Sequence, residues 1–456
     1  MNAPLDAPAA RDVHTGSIED SFETLAGEID RSLKAGERYT VTLEAEDSDF
    51  VRMNRGRIRQ PGFVAQRYLT LQLVRDGRHA KHTLTLTGRP SEDRARVRDA
   101  LANLRAVLPE LAEDPHLLLP DVVSSSRVNR GGPLPSAAEM VEEVLAAGEG
   151  LDLVGLLATG SVQRAFASSE GQRNWHSIAS FNLQWSLYHR ADKAVKSSYA
   201  GLAWDAGELR GRMSLAQDRL VLVSRRPRAL TPGRYRAYLA PSALEEIAGL
   251  LAWGAFSGRA LATRQSALSR MQESARLDPR VAMAEDFEAG VAPGFQSEGF
   301  ARPARVPLIE GGALVGSLVS PRTAREFALT ANGANAHESP EALVMNGGDL
   351  RANDALAALD TGLAVGNLWY LNYSDRNECR ITGMTRFATF WVENGTIVAP
   401  IEVLRFDDTL FNLLCANLEA ITAERELLLE SNTYGGRQLT SATLPGVLVK
   451  QMNFTL

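Results

Sequence analysis

The Asn394-Gly395 pair constrains the local fold of this 456-residue chain more strongly than any other short segment. It lies between Val392-Glu393 and Thr396-Ile397-Val398, in a region rich in β-branched and aromatic residues. An Asn-Gly pair between such runs is typical of a type I′ hairpin, because both turn residues must take positive φ. We therefore predict a strand, a tight turn and a second strand here.

Patterns elsewhere predict more antiparallel sheet, together with helices. Apolar and polar residues alternate from Phe181 to Leu187, which is typical of a strand with one buried face. The Asp76-Gly77 pair predicts another hairpin. Helices are predicted from three patterns: helical spacing between Phe22 and Leu33, an apolar stripe after Ser91, and a Ser136–Glu139 capping box leading to about Ala147. The predicted fold class is α+β, with a helix and antiparallel-sheet domain followed by a larger β-rich domain.

Composition and pattern together divide the chain into five segments. Residues 120–135, PDVVSSSRVNRGGPLP, are short of core residues and rich in turn formers, which predicts a linker. The predicted order is a mobile tail (1–16), an N-terminal α/β domain (17–119), the linker (120–135), a strand-rich middle region (136–240) and a C-terminal domain (241–456).

The overall composition excludes several classes of protein. Lys and Arg total 49 against 55 acidic residues, a net charge of -6 that disfavours nucleic acid as a partner. The chain has two cysteines, too few for a disulfide framework, so a reducing cytoplasm is the expected location. No run approaches the roughly 20 apolar residues that a membrane span requires, and we expect a soluble protein without a membrane partner.

A long apolar helix is predicted to begin near Ser242. Ser242 and Glu245 have the spacing of a capping box, and the run IAGLLAWGAFSGRALATRQSALSRM follows directly. Almost no position between Ile247 and Phe256 is polar, so this part of the helix is expected to be buried on all sides.

The region from Asp360 to Leu410 carries a distinctive order of short sequence words. They are Gly362-Leu363, the aromatic strand Trp369 to Tyr373, Thr382 to Arg386, Glu393-Asn394-Gly395 and Leu404-Arg405-Phe406. In this order they closely resemble the C-terminal half of the TldD/PmbA family. That family contains zinc metallopeptidase subunits and their non-catalytic partners. The resemblance is weak before about residue 130 and strong from about Ser242 to Asn412.

The resemblance also indicates which branch of the family this chain is similar to. In the catalytic branch the helix after Ser242 carries a His-Glu-x-x-x-His motif, which binds zinc and supplies a general base. Those three roles fall on Ala252, Trp253 and Ser257, none of which can perform them. No histidine occurs between His189 and His337, and the tail SNTYGGRQLTSATLPGVLVKQMNFTL lacks the cysteine that serves as a further ligand.

These substitutions resemble the non-catalytic PmbA/TldE branch. The implied function is a TldE-like subunit that binds no cofactor itself and completes the proteolytic chamber of a TldD-like partner holding the zinc. Homodimerisation in isolation is also plausible, because a surface shaped for a related subunit can pair with itself. Relatives trim precursors of ribosomally made peptides, so both precursor maturation and general peptide clearance remain open.

The resemblance places the aromatic strand near an internal peptide cleft. An extended peptide can bind there by adding a strand to a sheet edge. The candidate peptide-cleft residues are Trp369, Tyr370, Tyr373, Thr385 and Arg386. The competing interpretation is that aromatic residues in a strand fill the core.

Other candidate sites are weaker. His79 and His82 would face opposite sides of a strand, and Cys379 and Cys415 are better explained by packing. A compact basic cluster is interpreted as a solvated sheet edge rather than a nucleic-acid contact; it comprises Arg52, Arg55, Arg57 and Arg59. Two other functions remain open: a stand-alone regulatory or binding protein, and an autonomous hydrolase with an unrecognised site.

Overall fold

Two β-sheets with flanking helices make up the computed structural model, which describes residues 17–190 and 193–455. The predicted tail, 1–16, lies outside the described residues. The chain combines helices with a mainly antiparallel N-terminal sheet and a larger mixed C-terminal sheet, so the predicted α+β fold class is confirmed.

The N-terminal sheet contains seven strands and carries helices on one face. Its strands are β1 (Arg38–Asn54), β2 (Arg57–Arg75), β3 (Arg78–Thr85), β4 (Ser126–Arg130), β5 (Asp152–Ser168), β6 (Arg173–Arg190) and β7 (Lys193–Gly201). The spatial order is β3-β2-β1-β5-β6-β4, with β7 also paired to β6. The helices of this half are α1 (Ile18–Ser32), α2 (Pro90–Val107), α3 (Ala137–Ala147) and α4 (Ala206–Val223).

The C-terminal sheet contains eleven strands. They are β8 (Gly233–Leu239), β9 (Met283–Asp286), β10 (Arg305–Glu310), β11 (Ala313–Leu314), β12 (Ala342–Met345), β13 (Gly362–Asp375), β14 (Arg380–Glu393), β15 (Thr396–Pro400), β16 (Arg405–Thr409), β17 (Leu418–Leu429) and β18 (Ser441–Phe454). The pairings β8-β13-β14-β16-β18-β8 close into a ring. The helices are α5 (Pro241–Leu251), α6 (Gly258–Ala262), α7 (Pro321–Phe327) and α8 (Ala355–Leu359).

Local sequence chemistry sets several of these elements. Asn394 and Gly395 have φ values of 50° and 71° between β14 and β15, as the Asn-Gly pair predicts. Asp76 and Gly77 take φ values of 51° and 71° between β2 and β3. The capping box at the start of α3 is also present, with Ser136 and Glu139 satisfying each other's backbone N–H groups.

The helix after Ser242 differs from its prediction in two ways. No side chain caps α5, because Ala240 is the N-cap and Pro241 occupies the first turn, while the Ser242 hydroxyl donates to the carbonyl oxygen of Gly366. The helix ends at Leu251, and Gly254 follows with a φ of 84°. The prediction of burial on all sides is therefore wrong at Trp253, which is 62% exposed, whereas Ala255 and Phe256 are buried.

The sheet topology does not follow the predicted linker (120–135) and the predicted middle region (136–240). Residues 126–130, inside the predicted linker, form β4 and pair in parallel with β6. Polar and turn-forming residues suit this exposed edge strand, and hence the composition resembled that of a linker. Strands β5 to β7 extend the N-terminal sheet, whereas β8 belongs to the C-terminal sheet. None of the helices in the described residues is long and apolar enough to span a bilayer.

A loop of the C-terminal half is anchored in the N-terminal sheet. The connection between β17 and β18 inserts Arg437, which is 7% exposed. The guanidinium donates to the carbonyl oxygen of Gly160 at 3.2 Å and to the carbonyl oxygen of Ser180 at 2.9 Å. A Cβ at Gly160 would lie 2.2 Å from the carbonyl oxygen of Asp47, so a side chain there would clash with strand β1. The two halves are thus joined by a buried cation.

Candidate functional site

The three positions to which the family resemblance assigns the zinc motif lie around the end of α5. Ala252 is the C-cap of α5, Trp253 lies in the exposed turn after it, and Ser257 is the N-cap of α6. The Ser257 hydroxyl accepts a hydrogen bond from the N–H of Ala260 at 3.0 Å. It also donates to Glu338 at 2.6 Å.

Glu338 is a buried carboxylate that organises this corner of the fold. It accepts further hydrogen bonds from the N–H of Arg259 at 3.0 Å and the N–H of Ser320 at 2.8 Å. Burial alone would raise the pKa of Glu338, but these hydrogen bonds outweigh it and lower the pKa below its ordinary value. Glu338 lies in an irregular loop, and no sequence pattern indicates this structural role.

The side chains at these positions do not fit a zinc ion. Ala252 offers no donor atom, the Trp253 indole has no lone pair available for a metal, and the Ser257 hydroxyl is occupied by Ala260 and Glu338. No chemical step through zinc can therefore be derived from these three residues.

The aromatic strand predicted to line a peptide cleft is distorted and partly exposed. Trp369 is 44% exposed and Tyr370 is 73% exposed. The register between β13 and β14 shifts on both sides of Asn367-Trp369. Tyr370 and Phe387 have φ values of 58° and 56°, a conformation that is costly for bulky side chains. For Trp369 and Tyr370 the core-filling interpretation does not apply.

Arg386 joins this cluster from the neighbouring strand. Its guanidinium carbon lies 4.3 Å from the ring centroid of Trp369 and 5.1 Å from that of Phe387. Trp369 and Tyr370 have ring centroids 5.5 Å apart. We call Trp369, Tyr370, Arg386 and Phe387 the aromatic–arginine cluster. It combines a cation, exposed π faces and irregular backbone in one place.

The other two candidate residues have internal partners. Thr385 is 1% exposed, and its hydroxyl accepts a hydrogen bond from the N–H of Leu404 at 3.0 Å. Tyr373 is half-buried, and its hydroxyl donates to the carbonyl oxygen of Leu250 at 3.1 Å. Through this hydrogen bond Tyr373 connects β13 to α5.

A cavity of about 180 Å³ lies beside the cluster, between the two halves of the chain. Arg386 and Phe387 line it from β14, and the hairpin formed by β6 and β7 lines the opposite side. Val403, at its edge, is 58% exposed. The cavity therefore mixes apolar walls with charged groups, as small-ligand and peptide sites commonly do.

Acidic residues gather where α5 faces both sheets. Burial and, to a smaller extent, the nearby carboxylate of Glu246 raise the pKa of Glu245 to about 8, against an opposing effect of Lys196. Glu426 and Glu430 of the β17 region contribute repulsion. The sequence predicts a capping role for Glu245 and does not indicate its buried, acidic surroundings.

Two further features of the site were missed from the sequence. Phe387 carries no sequence signal for its left-handed backbone, which arises from the register shift between paired strands. Arg437 follows Gly435-Gly436, a pair that signals a turn without indicating burial. Recognising either residue requires the sheet pairing, which the sequence alone does not supply.

Comparisons with known proteins agree with this fold. The sequence model of the PmbA/TldA metallopeptidase C-terminal domain matches residues 232–456. No curated protein sequence matches the chain significantly.

Three solved structures are similar over 96% of this chain and 100% of their own chains. TldE from Thermococcus kodakarensis has a TM-score of 0.75 at 14% identity. Putative modulators of DNA gyrase from Bacteroides thetaiotaomicron and Thermotoga maritima have TM-scores of 0.73 and 0.72, at 17% and 14% identity. At these identities the likeness concerns the fold. Residues 232–456 therefore form a C-terminal domain of the PmbA/TldA metallopeptidase type.

Proposed function

We propose that this chain is the TldE-like, non-catalytic subunit of a heteromeric TldD/TldE-type zinc metallopeptidase. The observation that carries the proposal is the chemistry at Ala252, Trp253 and Ser257, where the catalytic branch needs two imidazoles and a carboxylate. Ser257 is instead committed to Glu338 and the start of α6. The catalytic partner would supply the zinc and the general base.

In this proposal the chain completes the proteolytic chamber and helps to bind an unfolded or precursor peptide. The exposed aromatic–arginine cluster and the adjoining cavity support such a role, because aromatic residues and arginine contribute much of the energy at many interfaces. Strand addition beside the irregular β13 would hold a peptide through main-chain hydrogen bonds and so tolerate varied sequences.

Co-expression with a TldD-like catalytic subunit tests the proposal. We expect a stable complex on size-exclusion chromatography that contains zinc and cleaves an unfolded peptide. This chain alone is expected to bind no stoichiometric zinc and to cleave nothing. The matched control replaces the zinc-motif histidines of the partner, which should remove zinc and cleavage while the complex still assembles.

Other outcomes would identify the alternative functions. Peptide cleavage by this chain alone, with the partner absent and zinc chelated, would indicate an autonomous hydrolase. Failure to assemble with any catalytic subunit of the family would favour a stand-alone binding protein. Cleavage confined to one precursor, with unrelated unfolded peptides left intact, would indicate dedicated maturation rather than general clearance.

A further inference from the structure

The guanidinium of Arg386 has no acceptor within residues 17–190 and 193–455. Arg386 is half-buried, and its side chain makes no hydrogen bond or ion pair with those residues. A guanidinium has five N–H donors, and none of the Arg386 nitrogen atoms is fully buried. The guanidinium lies close to the rings of Trp369 and Phe387, and its donors are therefore accessible to an acceptor from outside the fold.

Other arginines in the described part of the chain also lie near an aromatic ring, and most of them bind a carboxylate as well. Arg228 lies 4.6 Å from the ring centroid of Trp391 and donates to Glu393 at 2.5 Å. The Trp391 indole N–H donates to the same Glu393 oxygen at 2.7 Å. Arg228, from the segment before β8, therefore has both an aromatic ring and a carboxylate of β14 as partners.

Three further arginines have both an aromatic ring and a carboxylate as partners. Each stacks on an aromatic ring and also pairs with an acidic side chain: Arg212 with Glu208 and Glu426, Arg270 with Glu378, and Arg302 with Glu341. Arg376 stacks on Tyr373 without a carboxylate, but it is exposed and its donors face water. Arg386 combines the missing carboxylate with partial burial.

We propose that Arg386, held against Trp369 and Phe387, binds a carboxylate of the peptide that the chain accommodates. The inference rests on the proposed peptide-binding role and specifies its chemistry. A planar guanidinium pairs with a carboxylate through two parallel hydrogen bonds, and a fixed plane reduces the entropy lost on binding. The carboxylate comes either from an acidic side chain or from the C-terminus of the peptide.

The surroundings of Arg386 agree with this assignment. The 180 Å³ cavity beside it is lined by Lys193, a second cation, as well as by Glu402, which is exposed. The apolar walls formed by Ile401 and Val403 would receive the part of the peptide next to the carboxylate. The left-handed backbone at Phe387 belongs to the same register shift that places Arg386 opposite Asn367, two residues before Trp369 on β13.

Calorimetric titration of three peptides tests the inference. All share one uncharged sequence: the first is amidated, the second has a free C-terminal carboxylate, and the third is amidated with one glutamate. The intact chain, alone and in complex with its catalytic partner, should bind at least one carboxylate peptide about tenfold more tightly than the amidated neutral one. Preference for the second or the third peptide identifies the source of the carboxylate.

Substitutions assign the effect to Arg386. Arg386→Gln should remove the preference and leave the affinity for the neutral peptide within about twofold. Arg386→Lys keeps the charge without the planar fork and should lose part of the preference, which tests the inference even if Arg386→Gln unfolds. Arg376→Gln, at a stacked but exposed arginine, is the matched control and should keep the full preference.

Two results would overturn the inference alone. They are equal binding of all three peptides by the unsubstituted chain, and an equal loss for all three on Arg386→Gln. If no peptide binds, the peptide-binding role and the carboxylate site both fail. The subunit assignment is still judged separately, by assembly and zinc content.

Discussion

Ser257, which we align with a histidine of the proposed zinc motif, has a structural role in this chain. Its hydroxyl caps α6 and donates to Glu338, whose other hydrogen bonds come from backbone N–H groups. The pKa of Glu338 is lowered because these bonds favour its charged form over the effect of burial. This contribution to stability is present above pH 4.5, the ordinary pKa, and is lost as the pH falls through the lowered value.

Ser257→Ala should therefore destabilise the fold by about 1–3 kcal/mol. The substitution removes a helix cap and one donor to a buried carboxylate. Chemical denaturation measures the change in the free energy of unfolding. Thr263→Ala, at the exposed end of the same helix, should change it by less than about 0.5 kcal/mol. Equal effects of the two substitutions would mean that the Ser257–Glu338 contact contributes nothing measurable.

The backbone conformation of single residues could be predicted where a turn accepts only a few residue types. Positive φ at Asn394 and Gly395 follows from the turn chemistry alone. The exposure of Trp253 could not be predicted, because the apolar pattern continues past the point where Gly254 turns the chain. Arg386 was identified through the family resemblance, and its missing acceptor became visible only in the folded chain.

Among the helices and strands, α5 has acidic residues whose raised pKa values were not expected from the sequence. It packs against β13 and β18 with its apolar face, and it turns Glu245 and Glu246 toward Lys196 and the β17 region. Burial and neighbouring carboxylates raise the pKa of Glu245 to about 8. The folded chain thus retains a proton that the unfolded chain releases above pH 4.5. Stability from this group falls as the pH rises from about 4.5 toward 8.

Glu245→Gln should flatten this pH dependence. Glutamine has nearly the same shape as the protonated glutamate and cannot ionise, so the substituted chain should lose less thermal stability between pH 5 and pH 8. Melting temperatures at both pH values measure the difference. The control, Glu402→Gln at an exposed position, should behave as the unsubstituted chain. Parallel pH profiles for all three proteins would contradict the raised pKa.

Element type was easier to predict than element boundaries. The hairpins and α3 follow from turn residues and a capping box. The start and end of α5 did not follow, since Pro241 replaces the expected cap and the helix stops where no proline or polar run marks an end. The edge strand β4 was hidden by its polar composition.

In the whole molecule, Arg437 connects the two sheets. It enters a space between strands β1, β5 and β6, where Gly160 and two serines leave room for a guanidinium. Burial lowers the pKa of Arg437 to about 10, although Glu46 opposes the shift. Its backbone N–H donates to Glu46 at 3.0 Å. The same loop places Tyr434 in solvent at 93% exposure.

Arg437→Ala should weaken the connection between the sheets. Removing one partner of a buried charged network costs about 3–5 kcal/mol, and residues 430–436 should become more sensitive to proteases. Limited proteolysis and chemical denaturation provide the two measurements. The neighbouring Gln438→Ala, at an exposed position, should change neither. Unchanged proteolysis and stability in Arg437→Ala would show that other contacts hold the loop.

The two-part α+β architecture was predictable from the sequence, but the way its sheets are assembled was not. Alternating patterns indicate strands without naming their partners, so β8 and the strands β5 to β7 could not be assigned to different sheets. The buried arginine was equally inaccessible, because a polar loop sequence says nothing about where it docks.

Strand β18 has a consequence for the synthesis of the protein. It pairs with β8, β12, β16 and β17, and it follows every other strand of its sheet in the sequence. A ribosome therefore synthesises β18 after the ten other strands of this sheet, four of which pair with it directly. The N-terminal sheet can form during translation, whereas the C-terminal sheet cannot close until β18 has been synthesised. The unpaired strands of the nascent C-terminal half are therefore expected to bind chaperones.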